Sequence, residues 1–425
     1  MKILILVESF NINHHSSAIG RSKFISALLN KKNNVTIIYP DESVPHLKNL
    51  DPTWLSGCKF KRFALSAPTR TEKILDRIPK IRAIPTYLSG FHMSFHRLIL
   101  DWKLAIETEL QNETYDLVIA LGTGMSFAPH FALAQSDVSI PWIANIHDPY
   151  PVHFYPPPYN KKPTLLYKNQ AKRFHYMLRK ASCVTFPSLR LQEWMEQFYP
   201  EIKSKSFVIP HLAPSDEMIA SLPTTDKDTT VSLQKGKFNI LHAGSLLGPR
   251  NPAYLLKAFL RFISEDSERK KKAVLNIIGK VAKEHTGFEK AYEPYKSNIN
   301  IVLERVGYRH SLSLLKDADV LVLLEAVSEV SPFMPGKLAD YIWADRPILA
   351  LTPKNSETSR ILGKSYPYRV DTDDEEGIYR CLVDLWERWK KGDGLSLNNS
   401  ELRHYVSAER MNHILEGATC LSSQK

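Results

Sequence analysis

Residues 316–351 hold a pattern that few folds accommodate: an apolar run, a polar loop, a helix and a second apolar run. The run from Asp319 to Leu324 (DVLVLL) is hydrophobic after its first residue, which is typical of a parallel strand covered on both faces. Pro335 and Gly336 favour the start of a helix, and the chain returns to a strand at residues 348–351. The pattern therefore predicts one unit of a parallel α/β sheet.

The loop and helix of this unit carry side chains suited to a ligand. In open α/β sheets, ligands bind beyond the carboxyl ends of the strands, where helix N-termini point. Lys337 and Asp340 are one helical turn apart, so a cation and a carboxylate share one face. The preceding loop adds Glu329, Ser331 and Phe333. A ligand with phosphates and sugar hydroxyls would suit this set, and a solvated charged face without a ligand remains the alternative.

The same strand, loop and helix pattern recurs along the chain with one interruption. The first half predicts strands over residues 3–7, 35–39, 115–121, 141–146, 183–186 and 206–209. The second half predicts strands over residues 238–243, 274–278, 301–303, 319–324 and 348–351. A polar segment, residues 214–237, separates the halves and is typical of a linker.

We therefore predict two Rossmann-like, doubly wound parallel-sheet domains facing a cleft. The first spans residues 1–213 and the second residues 238–395, joined by the linker 214–237. For residues 396–425, the family resemblance given below implies a C-terminal helix that packs across the domains.

Composition and charge narrow the class of protein. A chain of 425 residues is too long for one ordinary core, and 43% hydrophobic with 24% charged residues indicates a globular protein. The net charge of +11 indicates an anionic partner. The four cysteines are scattered singly, which predicts a reducing compartment and no zinc site. Neither a signal peptide nor a membrane-spanning run is recognisable, so we expect a cytoplasmic protein, soluble or peripheral to the plasma membrane.

Residues 59–110 are the basic part of the first half. They combine a lysine- and arginine-rich stretch with an amphipathic, aromatic helix pattern. Such a segment suits peripheral contact with an anionic membrane. A solvated helix packed on its own domain is the simpler alternative. Nucleic acid is not expected, because no nucleic-acid-binding module accompanies the charge.

Polar residues also follow other predicted strands. His147 and Asp148 stand directly after the strand at residues 141–146, where they are well placed to meet a substrate. A carboxylate that caps a helix is the alternative for Asp148. The proline-rich residues 149–163 are predicted to form a loop over the site.

In the second half, the first strand ends in the loop HAGSLLGPRNP. Gly244 allows close approach of the backbone to a ligand, and Ser245 with the loop amides can donate hydrogen bonds to phosphate. Arg250 offers a guanidinium fork that matches phosphate geometry. The next strand ends in Gly279 and Lys280, and Tyr308 follows a third strand in the same way. Because these strands are parallel, their ends are expected to form one site with the helix at Lys337.

Eight segments carry a resemblance to a known family. In chain order they are YDLVIALGTG, IPWIANIHDPYP, ASCVTFPS, FVIPHLAP, FNILHAGSLLGPRNPAYLLKAF, VLNIIGK, LKDADVLVLL and FMPGKLADYIWADRPILAL. The chain resembles a GT-B glycosyltransferase, similar to the retaining "glycosyl transferases group 1" enzymes of family four. The resemblance covers nearly the whole chain.

The resemblance implies that the second domain holds a nucleotide-sugar. Arg250 takes the position of the basic residue that meets the diphosphate, and Lys337 is the best candidate for the second one. Asp340 takes the position of the glutamate that binds ribose hydroxyls. The family's other glutamate would fall at Pro332, so Glu329 or the loop amides must replace it.

His147 and Asp148 match a motif that borders the sugar and the acceptor in related enzymes. The implied activity is transfer of a sugar from a UDP or GDP type donor to an acceptor hydroxyl, with retention and without an essential metal or other cofactor. We expect the acceptor to be a glycan or a lipid-linked glycan of a bacterial surface polysaccharide, such as capsule, O-antigen or exopolysaccharide.

Two other functions remain open at this point. A nucleotide-sugar epimerase has the same two-domain fold, and a non-catalytic partner subunit would bind the nucleotide-sugar without turning it over. An NAD-dependent oxidoreductase is least expected, because neither half has a GxGxxG motif with its distal acid.

Overall fold

The computed structural model describes residues 1–10, 16–41, 53–76, 84, 86–222 and 231–422. The chain divides into two compact units. The first unit comprises Met1–Pro210 together with Ala408–Lys425, and the second comprises His211–Ser407.

The first unit is built on a parallel sheet of seven strands in the order β3-β2-β1-β4-β5-β6-β7. Its strands are β1 (Lys2–Val7), β2 (Asn34–Pro40), β3 (Lys59–Phe63), β4 (Leu117–Leu121), β5 (Trp142–Asn145), β6 (Cys183–Phe186) and β7 (Ser206–Val208). Its helices are α1 (Ser16–Asn30), α2 (Arg70–Asp76), α3 (Met93–Asn112), α4 (Ala128–Gln135), α5 (Leu165–Lys180) and α6 (Leu189–Glu196). The central strands are buried throughout, as their uninterrupted apolar sequences predict.

One face of this sheet is covered by α3, α4 and α5. Ile99, Trp102 and Ile106 lie three and four residues apart and form the buried side of α3. They share one hydrophobic cluster with Phe131 of α4 and Phe174 of α5. The three helices therefore form a layer in which α4 is buried almost completely, while α3 and α5 carry exposed residues on their outer sides.

The basic stretch at the start of residues 59–110 contains a strand that was not predicted, β3 (KFKRF). It pairs with β2 at the edge of the sheet, where lysines on a strand discourage further pairing. Three charges in five residues obscured the strand in the sequence. The amphipathic helix itself is confirmed as α3.

The second unit has a six-stranded parallel sheet in the order β10-β9-β8-β11-β13-β15 and a small pair, β12-β14. Its strands are β8 (Phe238–Ala243), β9 (Ala273–Ile278), β10 (Ile299–Val302), β11 (Val320–Leu324), β12 (Val330–Ser331), β13 (Ile348–Leu351), β14 (Asn355–Ser356) and β15 (Arg369–Val370). Its helices are α7 (Asp216–Ser221), α8 (Ala253–Ser264), α9 (Ser267–Lys272), α10 (Tyr308–Asp317), α11 (Gly336–Ala344), α12 (Glu357–Leu362), α13 (Glu375–Lys390) and α14 (Ser400–Tyr405).

The ends of the second unit differ from the expected boundaries. The segment 214–237 contains helix α7, and residues 223–230 of it lie outside the described part of the chain. The predicted C-terminal helix consists of two helices, α14 in the second unit and α15 (Ala408–Ser422) in the first. The Asn412 amide of α15 donates to the carbonyl of Ala27 in α1, 3.0 Å away.

Candidate functional site

The glycine loops after β8 and β9 approach each other and the start of α11. Gly244 has φ +148° and Gly279 has φ +145°, values that L side chains rarely adopt. A Cβ atom on Gly279 would lie 2.4 Å from the Gly244 carbonyl oxygen. A Cβ on Gly244 would lie 2.3 Å from the amine of Lys337. The structure therefore brings Gly244, Gly279 and Lys337 together, as the sequence predicted.

A cluster of nitrogen atoms lies at this point, which is also where the strand order reverses between β8 and β11. Lys337 Nζ and Arg250 Nε are both buried, and neither has a hydrogen-bond partner among the described residues. Burial, and secondarily the charge of Arg250, lowers the pKa of Lys337 from 10.5 to about 7, while Asp340 opposes the shift. An anionic ligand would supply the missing partners.

His242 completes the cluster and was not identified from the sequence. It is the penultimate residue of β8, and its Nδ1 lies 3.0 Å from the carbonyl oxygen of Val322 in β11. Burial, followed by the charge of Lys337, lowers the pKa of His242 well below its usual value. The ring is therefore neutral at physiological pH and adds no third positive charge. A histidine directly before a glycine loop was the only signal in the sequence.

The carboxylate of Asp340 is held by a tyrosine. The Tyr308 hydroxyl, at the start of α10, donates to Asp340 Oδ1 over 2.8 Å. Tyr341 was not predicted, and its hydroxyl lies 3.3 Å from the Ala243 amide and 3.2 Å from the Val322 carbonyl. The helix α11 is thus fixed against β8 and β11, with Lys337 and Asp340 on the side of the glycine loops.

The loop between β11 and α11 is organised around Glu325, a buried residue that was not among the predicted site residues. The hydroxyls of Thr352 and Thr358 donate to Glu325 Oε1 over 2.7 and 2.6 Å. The hydroxyl of Ser331 donates to the other oxygen. The Ser331 side chain therefore supports the loop. Glu329 is exposed and Phe333 is half-buried.

Two further predicted residues lie in the loops that flank Gly244 and Gly279. Ser245 and Lys280 are both exposed. The two loops are joined by the Leu246 amide, which donates to the Lys280 carbonyl over 3.0 Å. The loops therefore form a continuous rim beside the buried cluster of Lys337, Arg250 and His242.

In the first unit, polar groups gather at the corresponding reversal of strand order, between β1 and β4. Glu8 follows β1, and the Ser126 hydroxyl donates to it over 2.6 Å. Burial raises the pKa of Glu8, against the effects of Ser126 and of Arg21. Arg21 is buried in α1 and donates to the carbonyls of Ser9 (2.7 Å) and Gly122 (3.1 Å). This pair was not predicted, because an arginine in a helix is ordinarily exposed.

His147 and Asp148 lie where they were predicted, directly after β5, and both are half-buried. A Cβ atom on Gly122 would lie 3.6 Å from the His147 ring, so the loops after β4 and β5 are neighbours. Burial and the nearby Asp148 carboxylate raise the pKa of Tyr155. Glu8, His147 and Asp148 thus surround the strand ends of the first unit.

The proline-rich residues 149–163 were predicted to form a loop over the site. The structure gives them one short turn of 3-10 helix, Val152–Phe154. The Phe154 ring stacks on Phe198 with centroids 4.0 Å apart, and its carbonyl accepts a hydrogen bond of 2.7 Å from Trp194 of α6. This part of the segment is therefore anchored to the core of the first unit.

The described residues contain neither a cluster of metal ligands nor a membrane-spanning helix. No group of three or more His, Cys, Asp or Glu side chains is placed to hold a metal ion within them. Likewise, no helix in the described ranges is long and apolar enough to cross a membrane.

Comparison with known proteins gives a family match over part of the chain and structural matches over nearly all of it. Residues 24–213 match the family described as Glycosyltransferase Family 4. A comparison with curated proteins finds no match.

Solved structures match over nearly the whole chain. Sucrose-phosphate synthase from Thermosynechococcus elongatus has a TM-score of 0.65 at 12% identity, covering 98% of this chain and 99% of its own. A glycosyltransferase from Rickettsia africae has a TM-score of 0.62 at 11% identity, with coverages of 99% and 98%. A UDP-forming α,α-trehalose-phosphate synthase from Burkholderia xenovorans, in complex with glucose-6-phosphate, has a TM-score of 0.60 at 12% identity, with coverages of 98% and 99%.

At these identities the likeness establishes the fold alone, which is that of the GT-B enzymes. The chain thus has the GT-B fold, and its residues 24–213 match Glycosyltransferase Family 4.

Proposed function

We propose that the protein transfers a sugar from a nucleoside diphosphate sugar to an acceptor hydroxyl, with the donor held by the second unit. The observation that carries this proposal is the pair of buried nitrogens, Lys337 Nζ and Arg250 Nε, which lack partners among the described residues. A diphosphate placed beside the glycine loops would pair with both. Asp340, held by Tyr308, is available to a ribose hydroxyl.

In the proposed reaction, the bond between the anomeric carbon and the diphosphate oxygen breaks, and a bond from that carbon to the acceptor oxygen forms. Negative charge develops on the leaving diphosphate. Arg250 and Lys337 stabilise this charge from a site that excludes water, where electrostatic interactions are strongest. Because these two cations already serve that purpose, we propose that no metal ion is needed and that a chelator leaves the rate unchanged. Retention of the anomeric configuration is proposed from the family resemblance.

The acceptor is proposed to meet the strand ends of the first unit. His147 and Asp148 follow β5, and Glu8 with its raised pKa lies beside the neighbouring loop. A carboxyl group in this environment suits hydrogen bonding to sugar hydroxyls. We propose a glycan or lipid-linked glycan of a bacterial surface polysaccharide as the acceptor, in the cytoplasm at the inner face of the plasma membrane.

The test is a panel of UDP-, GDP- and TDP-sugars scored for protection against thermal unfolding. A donor at about 100 times its dissociation constant should stabilise the fold by about 2.7 kcal/mol. UDP-sugars come first, since a structural neighbour is a UDP-forming enzyme. Arg250→Ala should abolish the protection, while Arg380→Ala, which removes an exposed arginine of α13, should retain it.

Product analysis separates the remaining possibilities. Incubation with donor alone should leave the donor's sugar unchanged, whereas interconversion to another sugar would identify an epimerase. Protection by a donor with no transfer to any acceptor would identify a binding subunit. If no nucleotide protects the wild-type protein, the proposed diphosphate site is wrong.

A further inference from the structure

A long part of the first unit contains no carboxylate in its sequence. Residues 149–192 include eight lysines and arginines and neither aspartate nor glutamate. Most of these basic residues lie on or just before α5. Because these charges lie close together in one continuous piece of chain, they produce a local positive field.

The helix α5 separates its basic and apolar residues cleanly. Phe174, Met177 and Leu178 are buried in the core of the unit. The opposite side consists of residues that fall within an arc of about 140° at 100° per residue. These residues are Leu165, Lys168, Asn169, Lys172, Arg173, Tyr176, Arg179 and Lys180. All but Asn169 are exposed, and we call this side the basic face.

Most charges of the basic face are unpaired. Among the described residues, no ion pair involves Lys168, Lys172, Arg179 or Lys180, and the ring of Tyr176 lies 5.8 Å from the amine of Lys180. The nearby His175 does contact a carboxylate, Glu201.

Exposed apolar side chains border the basic face. The Asn169 amide donates to the carbonyls of Tyr87 and Leu88 over 2.7 and 3.2 Å, which fixes the short helical stretch 86–89 at the edge of α5. The Leu88 side chain is 70% exposed and Tyr87 is 48% exposed. Leu165, on α5 itself, is 56% exposed. The backbone of Leu88 is thus held beside a cationic helix while its side chain is exposed.

In residues 59–110, where membrane contact was first expected, three of the basic residues contact carboxylates. Lys61 pairs with Glu109 at 2.6 Å, and Arg97 pairs with Glu72. Lys103 lies 3.7 Å from Glu107 in α3. The charge that remains available in this layer of helices is on α5.

We propose that the basic face of α5, with Tyr87, Leu88 and Leu165, docks on an anionic lipid bilayer. The lysines and arginines would lie at the level of the lipid phosphates, and the leucines would enter the acyl boundary. A nucleic acid would satisfy the charges but offers no apolar environment for the leucines, so the lipid surface is favoured. This docking is independent of the donor chemistry proposed above, and it would bring a lipid-linked acceptor to the enzyme.

Co-sedimentation with vesicles tests the proposal. The full-length protein is mixed with phosphatidylcholine vesicles, with or without about 30% phosphatidylglycerol as the anionic lipid. Binding is expected only to the anionic vesicles. It should weaken when salt is raised from about 0.1 M to about 1 M, because the screening length falls from about 10 Å to about 3 Å.

A charge-matched pair of variants localises the interaction. The triple variant Lys168→Gln, Lys172→Gln, Lys180→Gln should lose about 100-fold in partitioning, since each lysine near the surface contributes about 1 kcal/mol. The control Lys270→Gln, Lys271→Gln, Lys391→Gln changes exposed lysines of the second unit and the same net charge, and it should bind as wild type. Leu88→Ser should weaken binding about 50-fold, because it removes three apolar carbons that contribute about 0.8 kcal/mol each on insertion.

Three results would overturn the proposal. Equal binding to neutral and anionic vesicles, or none to either, excludes an anionic lipid surface. Equal loss in the two triple variants shows that only net charge matters. Binding to a single-stranded homopolymer that the α5 variant alone loses, without vesicle binding, assigns the face to nucleic acid. Donor protection in the thermal assay should be the same in both triple variants, so failure of the docking proposal leaves the proposed transferase function untouched.

Discussion

Donor affinity should depend on pH through Lys337. In the free protein, burial and the charge of Arg250 lower the pKa of this amine to about 7, and Asp340 only partly offsets them. This lowering corresponds to about 5 kcal/mol at most. A bound diphosphate places negative charge beside the amine and restores its protonated form. Donor binding should therefore be accompanied by uptake of a proton wherever the free amine is neutral.

The size of the effect follows from the titration. At pH 6 about nine-tenths of the free protein carries the charged amine, and at pH 8 about one-tenth does, so the dissociation constant should rise about tenfold over this interval. Titration calorimetry at pH 8, in two buffers with different ionisation enthalpies, should report uptake of close to one proton. A nucleoside diphosphate sugar is the appropriate ligand, because both its phosphates are esterified and neither titrates near neutral pH.

Lys337→Met provides the control. It should bind donor about tenfold or more weakly at pH 6, through loss of a charge-assisted contact of about 1.5–3 kcal/mol, and its affinity should not change up to pH 8. His242 stays neutral over this range and does not contribute. In the absence of donor, wild-type stability attributable to Lys337 should rise from about pH 7 towards pH 10.5, because the unfolded chain then binds a proton that the folded one has lost. No proton uptake at pH 8, or an unchanged pH slope in Lys337→Met, would refute this reasoning.

Two substitutions test the supports of the site. Gly279→Ala should destabilise the protein by several kcal/mol, on the order of 2–4 kcal/mol in urea unfolding, since its Cβ would lie 2.4 Å from the Gly244 carbonyl oxygen at a positive φ. Gly394→Ala, where a Cβ meets no atom within 4 Å, should be neutral, and equal losses in the two variants would contradict the reasoning. Glu325→Ala should cost about 3 kcal/mol or more by leaving three buried hydroxyls without their acceptor, whereas Glu325→Gln, which keeps one oxygen, should cost about 1 kcal/mol in the same assay. Similar values for the two Glu325 variants would show that the hydroxyls find other partners.

The strands of both sheets were largely predictable because they are apolar throughout. The strands Cys183–Phe186, Phe238–Ala243 and Ile348–Leu351 agree with the prediction residue for residue. The edge strand β3 was missed, because a strand that pairs on one side only tolerates charges, and β3 carries three of them in five residues. The break between α14 and α15 was missed as well, since neither glycine nor proline marks Val406 and Ser407.

The candidate site was predictable where glycine and charge coincide with strand ends. Gly244, Gly279 and Lys337 were identified in this way, and the structure places them in contact. Buried polar residues such as His242 and Arg21 were not, because their significance depends on burial. A sequence does not distinguish a histidine in a strand from any other strand residue until the neighbouring strand is known.

The loop between β11 and α11 shows how a departure from the family pattern can be accommodated. The position expected to hold a glutamate is Pro332, which is buried and offers no carboxylate. Glu325 cannot replace it, since its carboxyl group accepts hydrogen bonds from three hydroxyls beneath the loop. That leaves Glu329, exposed just before Ser331, as the only acidic side chain of the loop that a ligand can reach. The hydrogen bonds that bury Glu325 keep its carboxyl group from a ligand. One of them comes from Ser331, so the same bonds also hold the backbone close to Glu329. Glu325 therefore supports the loop while Glu329 is open to a ligand, and we expect any sugar specificity to depend on Glu329 and the neighbouring backbone amides.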